Sequence, residues 1–527
     1  MSGAGNRDQS RVHPTIESVM KSDCPAANGS EAEVSPSGFR QKILRATFWS
    51  AVCLWGNRLL TLLFFAILAR LLGPKAFGLV ALSGVYIGFL MVFQEQGFGH
   101  AVIQRQQLHP DHLNTAFWMN VAMSLVLVLV TVVGAPAVGW LFHEPRLAGI
   151  VRGLSPLFII GALTSVQRAL YFRNFRFRSL AFAAMVGVSA GGVVGTLAAL
   201  NGCDVWSLVL YQITTRACES VVIWWQSDWR PRLRFRRACF QDMFGFGKYV
   251  VGGQLASFTH VYAADMIIGF FLGPMAVGLF SVAYRCARTV QDMISGVVAK
   301  VSLPTFARLQ QQPEHGRAVF LEATSQIALF SFPVFTAVAV LAPEIVTTVF
   351  GDKWVQVVPA MRALSVAGMI RTVCYLKRYM VLANGRPRWH LGLELLTVVL
   401  TLAGVLLTVH AGITAVAWAQ VLAQLASFPL LFLAVSRLIH LRLAEDLRAL
   451  LPALTASLVT ALAVLVTKAI IVGRVAPHGV LGIGLLMGAG IYIASVRAID
   501  PGSFLRSVYY VRAMLGRKHY GEAPAGV

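Results

Sequence analysis

The sequence predicts an all-α polytopic membrane protein with about fourteen transmembrane helices, arranged as two pseudo-symmetric six-helix bundles followed by two further helices. Three observations support this fold class. The 527-residue chain is 57% hydrophobic and 13% charged, with a mean hydropathy of +0.67, whereas soluble domains carry about 25% charged residues. Uncharged runs such as 121–140 exceed the roughly 18 residues that a membrane-spanning helix needs. An eight-residue stretch also occurs twice.

The repeated stretch indicates an internal duplication. Residues 72–79 read LGPKAFGL and residues 272–279 read LGPMAVGL, so six of eight positions match at a spacing of 200. Each copy lies between two apolar runs, which is typical of a tight Gly-Pro turn between helices. Further matches follow in the same order, such as Gln-Arg at 167–168 with Lys-Arg at 377–378. Chance similarity between apolar helices is the alternative, but the shared basic residues favour a duplication.

The predicted elements follow the apolar runs along the chain. Residues 1–39 are polar and lack the apolar core of a signal peptide, so they predict a disordered cytoplasmic tail. The predicted domains are bundles at 40–245 and 246–440, two additional helices at 441–500 and a basic cytoplasmic tail at 501–527. The predicted spans are 47–71, 77–98, 115–141, 147–171, 180–200, 205–226, 249–272, 277–300, 319–349, 355–379, 390–410, 413–436, 450–472 and 479–497.

The loop charges predict the orientation of the spans. Arginines cluster in alternate loops, as at 173–178 and 230–237, while the intervening loops hold about one basic residue each. By the positive-inside rule the arginine-rich loops and both termini are cytoplasmic. The second copy of the duplication starts after six spans, so the two copies are parallel repeats with the same orientation.

The charge and the cysteines exclude other classes of protein. The net charge of +22 is placed in loops between apolar runs, which argues against nucleic-acid binding. The seven cysteines form no C-x-x-C pair and lie mostly in apolar runs, so they favour packing over zinc or disulfides. There is no Walker A sequence and no catalytic constellation. We therefore expect a transporter that has no cofactor and no metal site.

Several stretches together resemble a known family. They are LARLLGPKAFG at 68–78, QGFGHAVIQR at 96–105, QRALYFRNFRF at 167–177, DMIIGFFLG at 265–273 and PTFARLQ at 304–310. The sequence is similar, from about residue 43 to 495, to the Wzx-like polysaccharide transporters. These are oligosaccharide flippases of the MOP superfamily, and the similarity is to their colanic-acid-exporter-like branch.

The resemblance implies a function and its partners. It implies two MATE-like lobes that work by alternating access in the bacterial inner membrane. The implied substrate is a polyprenyl-pyrophosphate-linked oligosaccharide repeat unit, moved to the outer leaflet for exopolysaccharide, capsule or O-antigen assembly. Membrane lipids, a polysaccharide polymerase and chain-length or export proteins are the implied partners, without nucleic acid.

Ionisable residues inside the spans are the candidate site residues. Span 8 carries Arg285, Arg288 and Asp292 at spacings of three and four, which places them on one helical face. Arginines in a wet cavity suit a diphosphate head group. The candidates for that head group are Arg58, Arg285, Arg288, Arg152, Arg362 and Arg371. The candidates for polar contacts or ion coupling are Asp265, Asp292, Glu394 and Glu95.

Structural interpretations of these charges stay open at this point. Arg285 and Arg288 could simply pair with Asp292 or Asp265, and the two glutamates could hydrogen-bond to neighbouring helices. Arg152 and Arg362 lie near the outer ends of their spans and could extend to the interface. Arg168, Lys377 and Arg378 lie near the inner ends, where we expect contact with the interface or with lipid head groups. Arg58 lies about ten residues into span 1, so an interfacial position explains it least well.

Two alternative functions compete with a flippase. A MATE-like small-molecule exporter for cationic drugs would favour an acidic cavity, whereas the charges inside these spans are mostly arginines. A membrane-embedded polysaccharide polymerase or ligase would be an enzyme, which generally has a large extracytoplasmic loop. The predicted outer loops are short, and the duplication suits a two-lobed transporter better.

Overall fold

The N-terminal half of the protein contributes six helices. The computed structural model describes residues 56–95, 110–174, 176–471 and 473–514. The predicted N-terminal tail and the start of span 1 lie outside the described residues. The helices are α1 (56–71), α2 (Pro74–Glu95), α3 (Pro110–Leu141), α4 (Arg146–Arg173), α5 (Phe177–Leu200) and α6 (Val205–Gln226).

The second half begins with a helical stretch of 72 residues, Arg237–Arg308, which is interrupted at Gly273 by a backbone φ of 80°. It therefore provides two helices, α7 (237–272) and α8 (274–308). Short helical turns over 342–357 connect α9 to α10. The remaining helices are α9 (Pro313–Val340), α10 (Val358–Ala383), α11 (Pro387–Thr408), α12 (Ile413–Ile439), α13 (Leu443–Ile471), α14 (Pro477–Ile499) and α15 (Pro501–Met514).

The predicted fold class is confirmed. Helices α1–α6 and α7–α12 form the two bundles, and α13 and α14 pack beside the second one. Within the described residues, eleven segments are long and apolar enough to cross a membrane. Helices α1–α14 follow the order of the fourteen predicted spans, although the number of crossings stays a prediction. The C-terminal segment predicted as a tail begins with the helix α15.

The two copies of the repeated octapeptide meet where α2 crosses α8. A Cβ atom built on Gly78 would lie 1.6 Å from the Pro274 carbonyl oxygen, and one on Gly278 would lie 1.9 Å from that of Pro74. Glycine is therefore required at both positions for the backbones to approach this closely. We call these four residues the glycine seam. It joins the two bundles at one end of the molecule.

Aromatic packing reinforces that end. Trp354 is completely buried, and its indole Nε1–H donates to the carbonyl oxygen of Ala69 at 2.8 Å. Its ring lies 5.3 Å from the ring of Phe77 in an edge-to-face arrangement, and Phe65 meets Phe350 in the same way at 5.9 Å. Such pairs add about 0.5–1.5 kcal/mol each beyond the area they bury. One continuous apolar core therefore links the two bundles beside the glycine seam.

Ion pairs fasten α13 to the second bundle. Lys377 of α10 contacts Asp446 at 2.8 Å, and both side chains are completely buried. At the same end of α13 Arg317 pairs with Glu445, and near the other end Lys468 contacts Glu344 at 2.7 Å. A buried charge is tolerated only with such a partner. The expectation that Lys377 extends to the membrane interface is therefore wrong, because its partner lies inside the protein.

Candidate functional site

Helices from both bundles bring charged side chains together. Asp292 of α8 forms ion pairs with two guanidinium groups, since its Oδ2 lies 3.7 Å from Arg58 Nη1 and 3.9 Å from Arg288 Nε. These side chains are 40–45% exposed, although Arg58 belongs to α1 and the others to α8. Charges on membrane helices face a cavity or a partner, because exposure to lipid costs about 2.5–3.5 kcal/mol each. Each charge of the cluster has such a partner, and the cluster connects the first bundle to the second.

Arg285 lies on the same face of α8 but has a different environment. Its guanidinium carbon lies 4.6 Å above the ring of Phe65, a cation–π contact with α1. In the described part of the chain no carboxylate lies within salt-bridge distance of it. Its side chain is exposed at the protein surface, and Tyr211 and Tyr262 lie close by. We call Arg58, Arg285, Arg288 and Asp292 the arginine face, and it carries a net positive charge.

Arg371 and Asp265 line a small space. It measures about 20 Å³ and also contacts Tyr284 and Gln420, which is room for about one water molecule. Arg371 Nη2 donates to Gln420 Oε1 at 3.4 Å, while its buried Nε–H has no partner among the described residues. These two predicted site residues are therefore close together, beside Tyr284 of α8.

Other predicted candidates are placed elsewhere. Arg152 Nε donates to the carbonyl oxygen of Val132 at 3.2 Å and is exposed. Arg362 is also exposed, in the second turn of α10. These positions do not test whether Arg152 and Arg362 bind the head group, and that role stays a prediction for both. Glu95 is the last residue of α2, and its side chain lies outside the described part of the chain.

Glu394 forms an ion pair with a neighbouring helix. Arg378 Nη1 lies 2.6 Å from Glu394 Oε1, and its Nη2 donates to Thr397 Oγ1 at 3.1 Å. Arg378 belongs to α10 and its two partners belong to α11. The expectation that Arg378 extends to the interface is wrong, because only 9% of its side chain is exposed. Glu394 was considered for ion coupling or for a contact with a neighbouring helix, and the structure shows the contact.

The sequence analysis missed two charged residues of α6. Arg216 Nη1 contacts Glu219 Oε2 at 3.1 Å, and Arg168 of α4 pairs with the same carboxylate. Because 36% of the Arg168 side chain is exposed, the interfacial position expected for it stays a prediction. Two ionisable residues three apart in the run 205–226 are a signal that could have identified them, because such pairs share one helical face. Nothing in the sequence pointed to Arg168 as their partner.

Close packing fixes the position of α6. A Cβ atom on Gly187 of α5 would lie 2.5 Å from the carbonyl oxygen of Thr215, and one on Gly191 would lie 2.0 Å from its hydroxyl. Small residues at such a spacing let two membrane helices approach closely. Tyr211 of the same helix lies within electrostatic range of both Arg216 and Arg285. Helix α6 therefore connects the Arg216 pair with the arginine face.

Comparisons with known proteins agree with this architecture. A family model described as polysaccharide biosynthesis protein matches residues 67–359. The lipopolysaccharide biosynthesis protein WzxC of Escherichia coli is 24% identical over 340 residues, which is 63% of this chain and 68% of WzxC. The succinoglycan biosynthesis transport protein ExoT of Rhizobium meliloti is 26% identical over 343 residues, 65% of this chain and 69% of ExoT.

A solved structure shares the fold. The lipid II flippase MurJ in an inward closed conformation superposes with a TM-score of 0.72 at 12% sequence identity. The match covers 87% of this chain and 99% of MurJ. At this identity the likeness shows the fold alone, and it agrees with the two-bundle arrangement and the two additional helices.

Proposed function

This chain belongs to the polysaccharide biosynthesis protein family, and we propose that it is a flippase for lipid-linked oligosaccharides. Its substrate is a polyprenyl-pyrophosphate-linked repeat unit, which it moves to the outer leaflet for exopolysaccharide, capsule or O-antigen assembly. The observation that carries the proposal is Arg285, an exposed guanidinium of the second bundle that lies over the Phe65 ring of the first and has no carboxylate at salt-bridge distance in the described chain. Such a group is available to an anionic ligand.

The chemistry of the substrate matches the arginine face. A diphosphate cannot cross hydrocarbon unshielded, because moving an ionised group out of water is very costly. Guanidinium groups bind phosphate oxygens through two parallel, charge-assisted hydrogen bonds. Arg58 and Arg288 share one carboxylate, so part of their charge is also available to a head group. The face thus compensates for the lost hydration of the diphosphate.

An apolar recess suits the prenyl tail. It lies between α9, α13, α14 and α15 and has a volume of about 700 Å³. Its walls are almost entirely aliphatic or aromatic, with Leu341, Val464 and Ile493 among them. A prenyl chain that moves there from the bilayer exchanges one apolar environment for another, so the move carries little cost. The tail could then stay in an apolar environment while the head group contacts the arginine face.

The direction of transport assigns a role to the glycine seam. In the proposed orientation both termini are cytoplasmic, so the loop between α1 and α2 and the glycine seam face the outside. The protein lies in the bacterial inner membrane, and the seam closes the outer side of the pathway. Release of cargo requires α2 and α8 to separate there. A polymerase and chain-length or export proteins would take up the product.

Deletion and complementation test the proposal. A strain without the gene should accumulate one complete lipid-linked repeat unit on the cytoplasmic leaflet and lose its surface polysaccharide. Arg285→Ala should insert normally and fail to restore export, whereas Arg437→Ala, an exposed arginine at the end of α12, should restore it. Lipid extraction with leaflet-specific labelling measures both.

Two results would contradict the proposal. Single units on the outer leaflet that remain unpolymerised would indicate a polymerase. An unchanged glycolipid pool, together with new sensitivity to cationic drugs, would indicate a MATE-like exporter.

A further inference from the structure

A separate polar cavity lies inside the first bundle. It has a volume of about 310 Å³ and is enclosed by α2, α3, α4 and α6. We call it the side cavity. Its polar lining combines donors and acceptors from all four helices: Gln94, Asn120, Ser165, Arg168, Arg216 and Glu219. Leu157, Ile160 and Phe172 supply an apolar part of the lining, so the cavity presents both polar and apolar groups to a ligand.

One lining group shows what kind of ligand is missing. Asn120 is 2% exposed, and its Nδ2 donates to Ser165 Oγ at 2.8 Å. Its Oδ1 is buried and accepts no hydrogen bond within the described residues. A buried acceptor without a partner costs about 1–3 kcal/mol. The ligand that would satisfy it must therefore bring an N–H or O–H donor.

The carboxylate in the cavity strengthens this requirement. Glu219 is a buried acceptor between Arg168 and Arg216, with 9% of its side chain exposed. Both Arg168 and Arg216 are already paired with Glu219, and a fully ionised phosphate or carboxylate has no proton to donate to Asn120. A sugar ring carries several hydroxyl groups, each of which both donates and accepts. The mixed lining therefore favours a polyhydroxylated ring over a simple anion.

The position of the cavity relates it to the arginine face. Arg216 lies at its opening, with 57% of the side chain exposed. Tyr211, one helical turn before Thr215 on α6, lies within electrostatic range of both Arg216 and Arg285. A molecule whose diphosphate is bound at Arg285 could therefore extend its sugars toward Arg216.

We propose that the side cavity binds a pyranose ring of the glycan while the arginine face holds the pyrophosphate. This inference rests on the proposed function and adds a specificity site to it. The ring would donate to Asn120 and Glu219 and accept from Arg216. Variation among these residues would then decide which sugar is exported, separately from recognition of the lipid.

Binding of two probes to the full-length purified protein tests the proposal. One probe is undecaprenyl pyrophosphate, which has no sugar, and the other is the lipid-linked repeat unit extracted from the deletion strain. Asn120→Leu should weaken binding of the glycolipid about tenfold, the value of one good hydrogen bond, and leave undecaprenyl pyrophosphate unaffected. Asn201→Leu, an exposed residue after α5, is the matched control and should change neither.

The variants separate the two proposals. Arg285→Ala should weaken both probes, and its failure to do so would contradict the proposed function. Asn120→Asp keeps the acceptor oxygen and should retain most of the glycolipid affinity. If Asn120→Leu is unstable, Ser220→Ala, also in the lining, takes its place. If the substitution in the side cavity weakened binding of both probes equally, or of neither, the assignment of the side cavity would be overturned.

Discussion

The two copies of the duplication use the same basic position in different ways. Arg168 and Arg378 are 210 residues apart and lie on corresponding helices, α4 and α10. Arg168 has 36% of its side chain exposed and pairs with Glu219 beside the open side cavity. Arg378 has 9% exposed and is enclosed by Glu394 and Thr397. The first bundle keeps a polar space at this point, and the second fills it.

The preceding residues explain why. Gln167 and Lys377 are both completely buried. In the described residues neither amide atom of Gln167 has a partner, whereas Lys377 pairs with Asp446 and lies 5.3–5.4 Å from the rings of Phe320 and Phe428. Asp446 belongs to α13, which has no counterpart in the first bundle. The additional helix allows a buried cation in one bundle, while the other retains a ligand-sized space.

The largest expected effect comes from breaking the buried pair. Asp446→Ala leaves the Lys377 ammonium buried without its carboxylate, which should lower the free energy of unfolding by about 3–5 kcal/mol. Glu219→Gln in the first bundle should cost only about 1 kcal/mol, because its arginine partners remain partly hydrated. Thermal unfolding of the two purified variants in detergent measures the difference.

A double variant distinguishes the charge from the packing. Lys377→Met combined with Asp446→Leu removes both charges and should recover most of the stability lost by Asp446→Ala. Equal destabilisation by Asp446→Ala and Glu219→Gln would contradict the contrast between the two bundles.

At the glycine seam the two bundles make equivalent contacts. Gly78→Ala would place a methyl group 1.6 Å from the Pro274 carbonyl oxygen, and such overpacking costs about 1–3 kcal/mol. The variant should favour the state with the seam open. Labelling of Val277→Cys, a completely buried position beside the seam, in a cysteine-free background should rise about fivefold or more.

The matched control lies on the same helix. A Cβ atom on Gly84 of α2 would meet nothing within 4 Å, so Gly84→Ala should leave labelling unchanged. Gly278→Ala should act like Gly78→Ala, because its contact with the Pro74 carbonyl oxygen is equivalent. If Gly84→Ala raised labelling as much as Gly78→Ala, the seam would not be the closing contact.

The sequence predicted well what depends on local spacing. Arg285, Arg288 and Asp292 share a face because helical periodicity fixes it. The repeat visible in the chain predicted the two Gly-Pro turns, but not the contact between them that forms the glycine seam. The sequence did not predict contacts whose partners come from distant helices. Lys377 and Asp446 are 69 residues apart, and no local pattern joins them. The same limit explains why Arg378 was placed at the interface, since composition near a span end suggests it.

A smaller effect concerns α15, which lines the apolar recess beside the second bundle. Partial burial of Asp500 opposes its ionisation, but hydrogen bonds from the Ser503 hydroxyl and N–H, with Arg506 nearby, outweigh burial and lower the pKa of Asp500. The ionised Asp500 carboxylate therefore adds to the free energy of unfolding above about pH 4, and this stabilisation is lost as the pH falls through the lowered pKa.

Removing the Asp500 carboxylate tests the sign of this pH dependence of stability. Asp500→Ala should cost about 1 kcal/mol at pH 7, and the difference in free energy of unfolding from the parent protein should be smaller at pH 3. Thermal unfolding at the two pH values measures it. A difference that grows toward acid pH would contradict the assigned pKa direction.

The smallest effect on stability is expected at Asp292, which contacts arginines of both bundles. Asp292 contacts Arg58 of the first bundle and Arg288 of the second at 3.7 and 3.9 Å, and all three side chains are 40–45% exposed. Solvent-exposed pairs contribute about 0.2–1 kcal/mol, so Asp292→Asn should barely change thermal unfolding. It should instead release two guanidinium groups and tighten binding of undecaprenyl pyrophosphate several-fold, an effect that salt weakens. A loss of stability as large as that of Asp446→Ala would mean that Asp292 holds the bundles together, and that the arginine face is structural.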